Sequence, residues 1–392
     1  MEKRTLPRSE WLLEIRKSKK MADPNGNGTV GDSRVSRRRF LSHVGGLTAL
    51  AATALLCKGR AWAEAPPAPT GWIDIHSHYA PLDWVNFITS NQGRGMLGNT
   101  SFLNTFKGWT PAKSIEQMDA AGIATSIVSL TTPGIWFGDS VASVDATRQL
   151  ARQCNDYGAK MVADFPGRFG LFAALPLPDV EGSLREIEYA LDTLKADGFG
   201  LLSHYSETYG DKLLGDPAFA PVFEELNRRK AAGYVHRKIS AEPYEIFGWD
   251  VHRTILSLLK PNAAGADSGL SPRFPQIRFI FCDAGGTMPF LVRRSTAPTS
   301  PAGTAAESGN GLPKAVREFY YGTGRSNNAG TMSALKQIVP VSHILFGTDY
   351  PFARVTDEAR GLRSCGVFSA EELQEVSRNN ALALLPRLKE QS

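Results

Sequence analysis

From residue 71 onward, short apolar runs alternate with stretches of helical period. The apolar runs predict strands over 72–76, 123–130, 168–174, 199–203, 233–236, 277–282, 318–322 and 343–347. Segments with apolar positions three or four apart predict helices over 113–121, 141–163, 181–196, 217–232, 250–260, 286–295, 328–338 and 355–365, with a last one over 369–385. Eight strands, each followed by a helix, is the count of a (β/α)8 TIM barrel. Runs such as 279–282, within the strand predicted over 277–282, are apolar without alternation, as parallel strands covered on both faces require. The alternative is an open doubly wound sheet, but no G-x-G-x-x-G follows the first strand. The expectation is therefore an α/β chain with one barrel domain over 70–388. Two stretches break the pattern: 80–112, read as a long first loop forming a lid or pocket wall, and the Pro/Gly/Ser-rich 296–312, read as flexible.

Composition adds a division of the chain. The 44 Lys plus Arg and 39 Asp plus Glu give +5, but residues 1–63 hold 13 basic and 5 acidic residues, so the remainder is near −3. A slightly acidic body without a basic stripe gives nucleic-acid binding little support. The basic segment contains Arg37-Arg38-Arg39-Phe40-Leu41, then a short weakly apolar stretch over 47–56, then Ala61-Trp62-Ala63. This order describes a signal peptide, and the paired arginines resemble a twin-arginine export signal, so residues 1–63 are read as a removable address. The chain from Glu64 would be periplasmic or secreted, with no stable membrane anchor. It keeps Cys154, Cys282 and Cys365, an odd set that forms no disulfide framework.

In such a barrel the side chains at strand C-termini converge on one face. Strand 1 ends in Asp74-Ile75-His76-Ser77-His78, strand 4 in His204, strand 5 in His236, strand 6 in Cys282-Asp283, and strand 8 runs into Thr348-Asp349. Residues i and i+2 of a strand point the same way, so His76 and His78 can chelate one divalent ion. His236 and Asp349 would complete a set suited to zinc or a similar transition metal rather than magnesium or calcium. Arg237 is a candidate for binding a substrate carboxylate through its guanidinium fork. Trp72, Trp84, Trp109 and Trp136 read as packing, with a lid role open for Trp84 and Trp109.

Ile73-Asp74-Ile75-His76-Ser77-His78, Tyr234-Val235-His236, Ala284-Gly285-Gly286-Thr287 and Phe346-Gly347-Thr348-Asp349-Tyr350-Pro351-Phe352 together resemble the amidohydrolase-related family. This is the branch of the amidohydrolase superfamily that contains aminocarboxymuconate-semialdehyde decarboxylase and the 6-methylsalicylate and γ-resorcylate type decarboxylases. The resemblance covers nearly all of 70–385. It implies metal ligation by His76, His78, His236 and Asp349, and a pocket-facing His204. The family's strand-6 motif reads His-Ala-Gly-Gly, its histidine being the general acid/base; here that position is Asp283. Arg237 stands where the family usually has Pro, and Gly322 where an Asp of strand 7 is common.

The resulting expectation is a metal-dependent, nonoxidative decarboxylase of a small aromatic or unsaturated acid, with Asp283 and His204 in the catalytic roles. A lactone, ester or amide hydrolase with Asp283 as base is the second option, and a non-catalytic metal- or ligand-binding barrel the third. A small-molecule substrate is expected, and a homodimer is left open.

Overall fold

The computed structural model describes residues 71–90, 104–136, 143–205, 212–238, 249–259, 270–291, 307–308 and 312–390. The signal segment, part of the first loop and much of 296–312 lie outside these residues. Eight parallel strands follow one another around a sheet in chain order. They are β1 (Trp72–His78), β2 (Ile123–Ser129), β3 (Phe169–Ala174), β4 (Gly198–Leu202), β5 (Ala232–His236), β6 (Arg278–Phe281), β7 (Tyr320–Gly322) and β8 (Ile344–Leu345). Backbone hydrogen bonds close the ring: Ile75 N–H donates to Phe346 O (3.0 Å), Asp349 N–H to His76 O (2.7 Å) and His78 N–H to Tyr350 O (2.8 Å). Closure matters for the site, because it places Asp349 beside the two histidines of β1.

The helices are α1 (Leu82–Thr89), α2 (Pro111–Ala121), α3 (Val144–Asp164), α4 (Val180–Asp192), α5 (Ala220–Arg228), α6 (Trp249–Leu259), α7 (Leu270–Arg273), α8 (Lys314–Glu318), α9 (Ala329–Ile338), α10 (Val355–Ser364), α11 (Ala370–Gln374) and α12 (Asn380–Leu384). Local chemistry sets their ends. Thr110 caps α2 through Lys113 N–H and Pro111 occupies its first turn, while Gly122 (φ 75°) ends it. Ser143, Asp179 and Asn328 cap α3, α4 and α9 in the same way.

Several predicted boundaries need correction. The stretch 80–112 is not all loop: α1 forms there because Trp84 and Ile88, four positions apart, bury one face. The helix expected over 217–232 stops at Arg228, since Lys230 (φ 51°) turns the chain into β5. Strand 8 shrinks to two residues, with His343 in a 3-10 turn before it. The last helix carries a π segment, Glu375–Asn379, and there the Val376 carbonyl accepts from Phe346 N–H (3.0 Å) rather than serving only its own helix.

Alternation along the strands assigns the barrel interior. His236 faces inward with its ligand partners, so Tyr234 two residues earlier shares that face, and it stacks on Phe172 with ring centres 5.5 Å apart. The Tyr234 ring also lies 5.3 Å from that of His76. A packed aromatic layer thus forms the floor on which the histidines stand. On the outer face, Phe279 of β6 meets Phe223 of α5.

Candidate metal centre

His76, His78, His236 and Asp349 each offer a ligand atom, and these atoms all lie within 4.8 Å of one another, fully buried. Asp349 Oδ1 stands 3.2 Å from His76 Nε2 and 3.1 Å from His78 Nε2. Neighbours fix the imidazole tautomers. A carbonyl can only accept, so Nδ1–H of His78 donates to Ser129 O (3.2 Å) and Nδ1–H of His236 to Arg237 O (2.7 Å). Each Nε2 lone pair is thereby left facing the cluster, the outer hydrogen bonding typical of metal-ligating histidines. His236 Nε2, His76 Nε2 and Asp349 Oδ2 are buried without a hydrogen-bond partner. Such orphaned atoms are costly unless something satisfies them, and one divalent cation would satisfy all three. The donor set therefore fits a single divalent metal.

Backbone shape presses His76 into place. A Cβ on Gly324 would come within 2.4 Å of His76 Nδ1, and one on Gly347 within 2.7 Å of His76 Cβ. Asp74 accepts from His76 N–H (2.9 Å) and Thr348 Oγ1–H (2.7 Å), tying β1 to the segment after β8 behind the ligands. Gly322 also has a steric reason: its Cβ would meet Ile75 Cδ1 at 2.9 Å.

Electrostatics favour the neutral form of two of the three imidazoles. Burial holds His78 below its ordinary range and His236 well below it. For His76, burial pulls down but Asp349, with Asp283 and Asp74, pushes harder upward. Burial would raise Asp349, yet the facing imidazoles carry it well below the usual carboxylate range.

Asp283 sits at the C-terminal end of β6, with Oδ2 3.3 Å from Arg237 Nε. Its Oδ1 is buried without a partner, and burial raises its pKa against the pull of His76 and Arg237. Arg237, the predicted carboxylate binder, is thus engaged with Asp283. His204 closes β4 but lies outside the four-ligand group; burial, then Lys238 and Arg253, lower its pKa to about 3. Cys282 is fully buried and serves as a small apolar filler. Trp84 packs through Nε1–H on Gly134 O (2.8 Å). Phe106, from the stretch predicted to be a pocket wall, packs on Phe352, whose ring is 5.9 Å from His78.

Sequence reasoning missed one charged group. Arg325 follows β7, with Nη1 3.5 Å from Asp349 Oδ2. Beside it opens a cleft of about 410 Å³ lined by Asp283, Thr287, Phe290, Arg325, Ser326 and Thr331. The available signal was a basic residue three positions past a strand end, which no motif marks.

Comparison with known proteins agrees with this geometry. The amidohydrolase family pattern matches residues 73–387. The chain is 32% identical over 342 residues to the decarboxylase macB of Penicillium terrestre, covering 81% of this chain and 95% of that protein. It is 31% identical over 335 residues to the 6-methylsalicylic acid decarboxylase of Penicillium expansum, covering 81% and 97%. Among solved structures, the dihydroxybenzoic acid decarboxylase of Polaromonas sp. JS666 superposes with a TM-score of 0.68 at 21% identity, covering 81% of this chain and 97% of that one. With its barrel, its strand-end histidines and aspartate, and a family pattern running almost from β1 to the C-terminus, the chain belongs to the amidohydrolase family.

Proposed function

We infer that the protein is a divalent-metal-dependent, nonoxidative decarboxylase of an aromatic carboxylic acid. The observation that carries this is the buried three-imidazole, one-carboxylate set beside Asp283, in a chain whose relatives over nearly their full length are decarboxylases. A divalent ion held by His76, His78, His236 and Asp349 supplies positive charge to hold and polarise the acid.

The chain's own residues handle the proton. Asp283, whose pKa burial raises, is the residue placed to deliver the proton: its Oδ1 has no partner, while Oδ2 faces Arg237. The proton passes to the ring carbon that bears the carboxylate. The carbon–carbon bond then breaks, its electron pair returns to the ring, and carbon dioxide leaves. Arg237 orients the Asp283 carboxyl. His204, kept neutral by burial, offers hydrogen bonding rather than a proton. Phe106 and Phe352 exclude water on the His78 side.

The test is incubation of the metal-loaded protein with hydroxybenzoates, among them 6-methylsalicylate and 2,6-dihydroxybenzoate, alongside lactones and esters. One carbon dioxide per phenol formed is expected; hydrolysis of a lactone or ester with no carbon dioxide from any acid would overturn the reading. Three imidazoles and a carboxylate suit zinc. The Polaromonas decarboxylase structure has bound manganese, so both metals belong in the assay. We also propose that residues 1–63 direct export. The periplasmic protein is expected to begin at Glu64; a cytoplasmic chain still beginning at Met1 would contradict that.

A further inference from the structure

At the C-terminal rim, consecutive strands are followed by alternating basic and acidic residues: Arg237 after β5, Asp283 after β6, Arg325 after β7 and Asp349 after β8. Arg237 and Asp283 form one pair, at 3.3 Å. Asp349 gives Oδ1 to His76 and His78, leaving Arg325 only a long contact of 3.5 Å to Oδ2. Glu358 feels this cation electrostatically, but no ion pair between their side chains forms among the described residues. Its Oε2 accepts instead from the Arg325 backbone N–H (3.1 Å) and from Asn327 Nδ2 (2.6 Å).

The Arg325 side chain is 40% exposed, on the wall of the 410 Å³ cleft that also contains Asp283. That volume lies within the range of small-molecule sites, about 300–1,000 Å³. Three hydroxyl-bearing residues, Thr287, Ser326 and Thr331, line the same cleft, and the exposed ring of Phe290 stands at its side. The backbone at this position is held in an unfavourable conformation. Of six non-glycine residues with positive φ among those described, four (Asp283, Ala284, Arg325 and Asp349) lie at the ends of β6, β7 and β8. A guanidinium kept on a left-handed residue where glycine would be relaxed points to a use for the charge.

The four ligands carry one negative charge if the imidazoles are neutral, so a divalent ion leaves the centre at about +1, which one substrate carboxylate matches. Arg325 then stands as a second cation facing the cleft. We propose that Arg325 is the specificity-determining cation of this pocket, taking a second carboxylate of the substrate, so that the preferred acid carries two acidic groups. The proposal rests on the decarboxylase reading and adds the class of acid to it. A carboxylate there would meet a planar fork of donors and nearby hydroxyls, which a monoacid leaves unused.

The test is calorimetric titration of the manganese-loaded full chain with salicylate and with 3- and 5-carboxysalicylate, which differ from it by one carboxylate. The parent is expected to bind the better diacid at least tenfold tighter than salicylate. Arg325→Gln is expected to collapse that ratio toward one, and Arg325→Lys to keep most of it, with bound manganese equal in all three proteins. A ratio near one in the parent, or a ratio that survives in Arg325→Gln, would overturn the proposal. So would loss of manganese in Arg325→Gln, which would make Arg325 a support for Asp349. Carbon dioxide release is followed in the same samples. If the ratio holds but no acid is decarboxylated, the decarboxylase reading fails and the pocket assignment stands; the reverse result sinks the assignment alone.

Discussion

His76 shows how closely backbone and ligand are matched. Gly324 and Gly347 allow the loops after β7 and β8 to lie against its ring and its Cβ. Gly324→Ala would drive a methyl into Nδ1 and rotate the imidazole. Metal affinity is expected to fall roughly 10- to 100-fold, the range seen when outer supports of a ligand are lost; unchanged affinity in a chelator competition assay would contradict the geometry. Asp283 makes a different prediction. Asp283→Asn keeps the shape but has no proton to give, so carbon dioxide release should drop by about 10²- to 10⁴-fold with metal content unchanged. Loss of metal instead would make Asp283 a fifth ligand. At this scale the sequence was readable wherever a side chain closes a strand. His76, His78 and His236 could be placed because strand period and barrel topology fix their direction, whereas Asp349, a left-handed residue four positions past β8, could be placed only from the motif around it. Arg325 could not, because its aim depends on a left-handed turn at φ 56° that no residue pattern announces.

The helices read well where caps and apolar spacing agree, as in α2 and α3, and less well where tertiary contacts decide. The helix α1 was hidden by the Gly- and Asn-rich residues downstream of it, although Trp84 and Ile88 carry its buried face. The π segment before α12 answers to an amide from the chain beyond β8, a contact between residues 30 positions apart. Between α4 and α5 the cohesion is electrostatic. Arg229 reaches Asp192 Oδ1 at 2.7 Å and Glu225 Oε1 at 2.6 Å, and Arg228 adds a second grip on Glu225. Hydrogen bonding from Arg228, then Arg229, outweighs partial burial and lowers the Glu225 pKa from 4.5 to about 2. A depressed carboxylate stabilises the fold fully above its ordinary pKa, and the contribution fades as pH falls through the folded value. Glu225→Gln should therefore cost about 1 kcal/mol at pH 7, modest because the group is partly solvated. Urea unfolding should show the gap closing near pH 2; a gap of the same size there would contradict the assignment.

For the whole molecule, the barrel was legible in the count and alternation of elements, and closure through Asp349 and His76 backbone groups confirms the ring. What composition could not reveal is that the metal ligands share their rim with a row of alternating basic and acidic residues. Among the described residues no helix is long and apolar enough to cross a membrane. The ligand set also ties stability to metal. Three imidazoles and a carboxylate gathered from β1, β5 and the segment after β8 leave buried lone pairs when stripped, and a bound ion stabilises the fold by about 4 kcal/mol at a thousand times its dissociation constant. Removal of the ion by a chelator should lower the melting temperature and its return should restore it. One centre would both bind the divalent ion and release carbon dioxide. The most direct measurement is a titration of the stripped protein with manganese or zinc, following ¹³CO2 from carboxyl-labelled hydroxybenzoates. Release should rise linearly to one equivalent of metal and then level, and His78→Ala should stay flat; release that is independent of metal, or none with a full equivalent bound, would contradict the account.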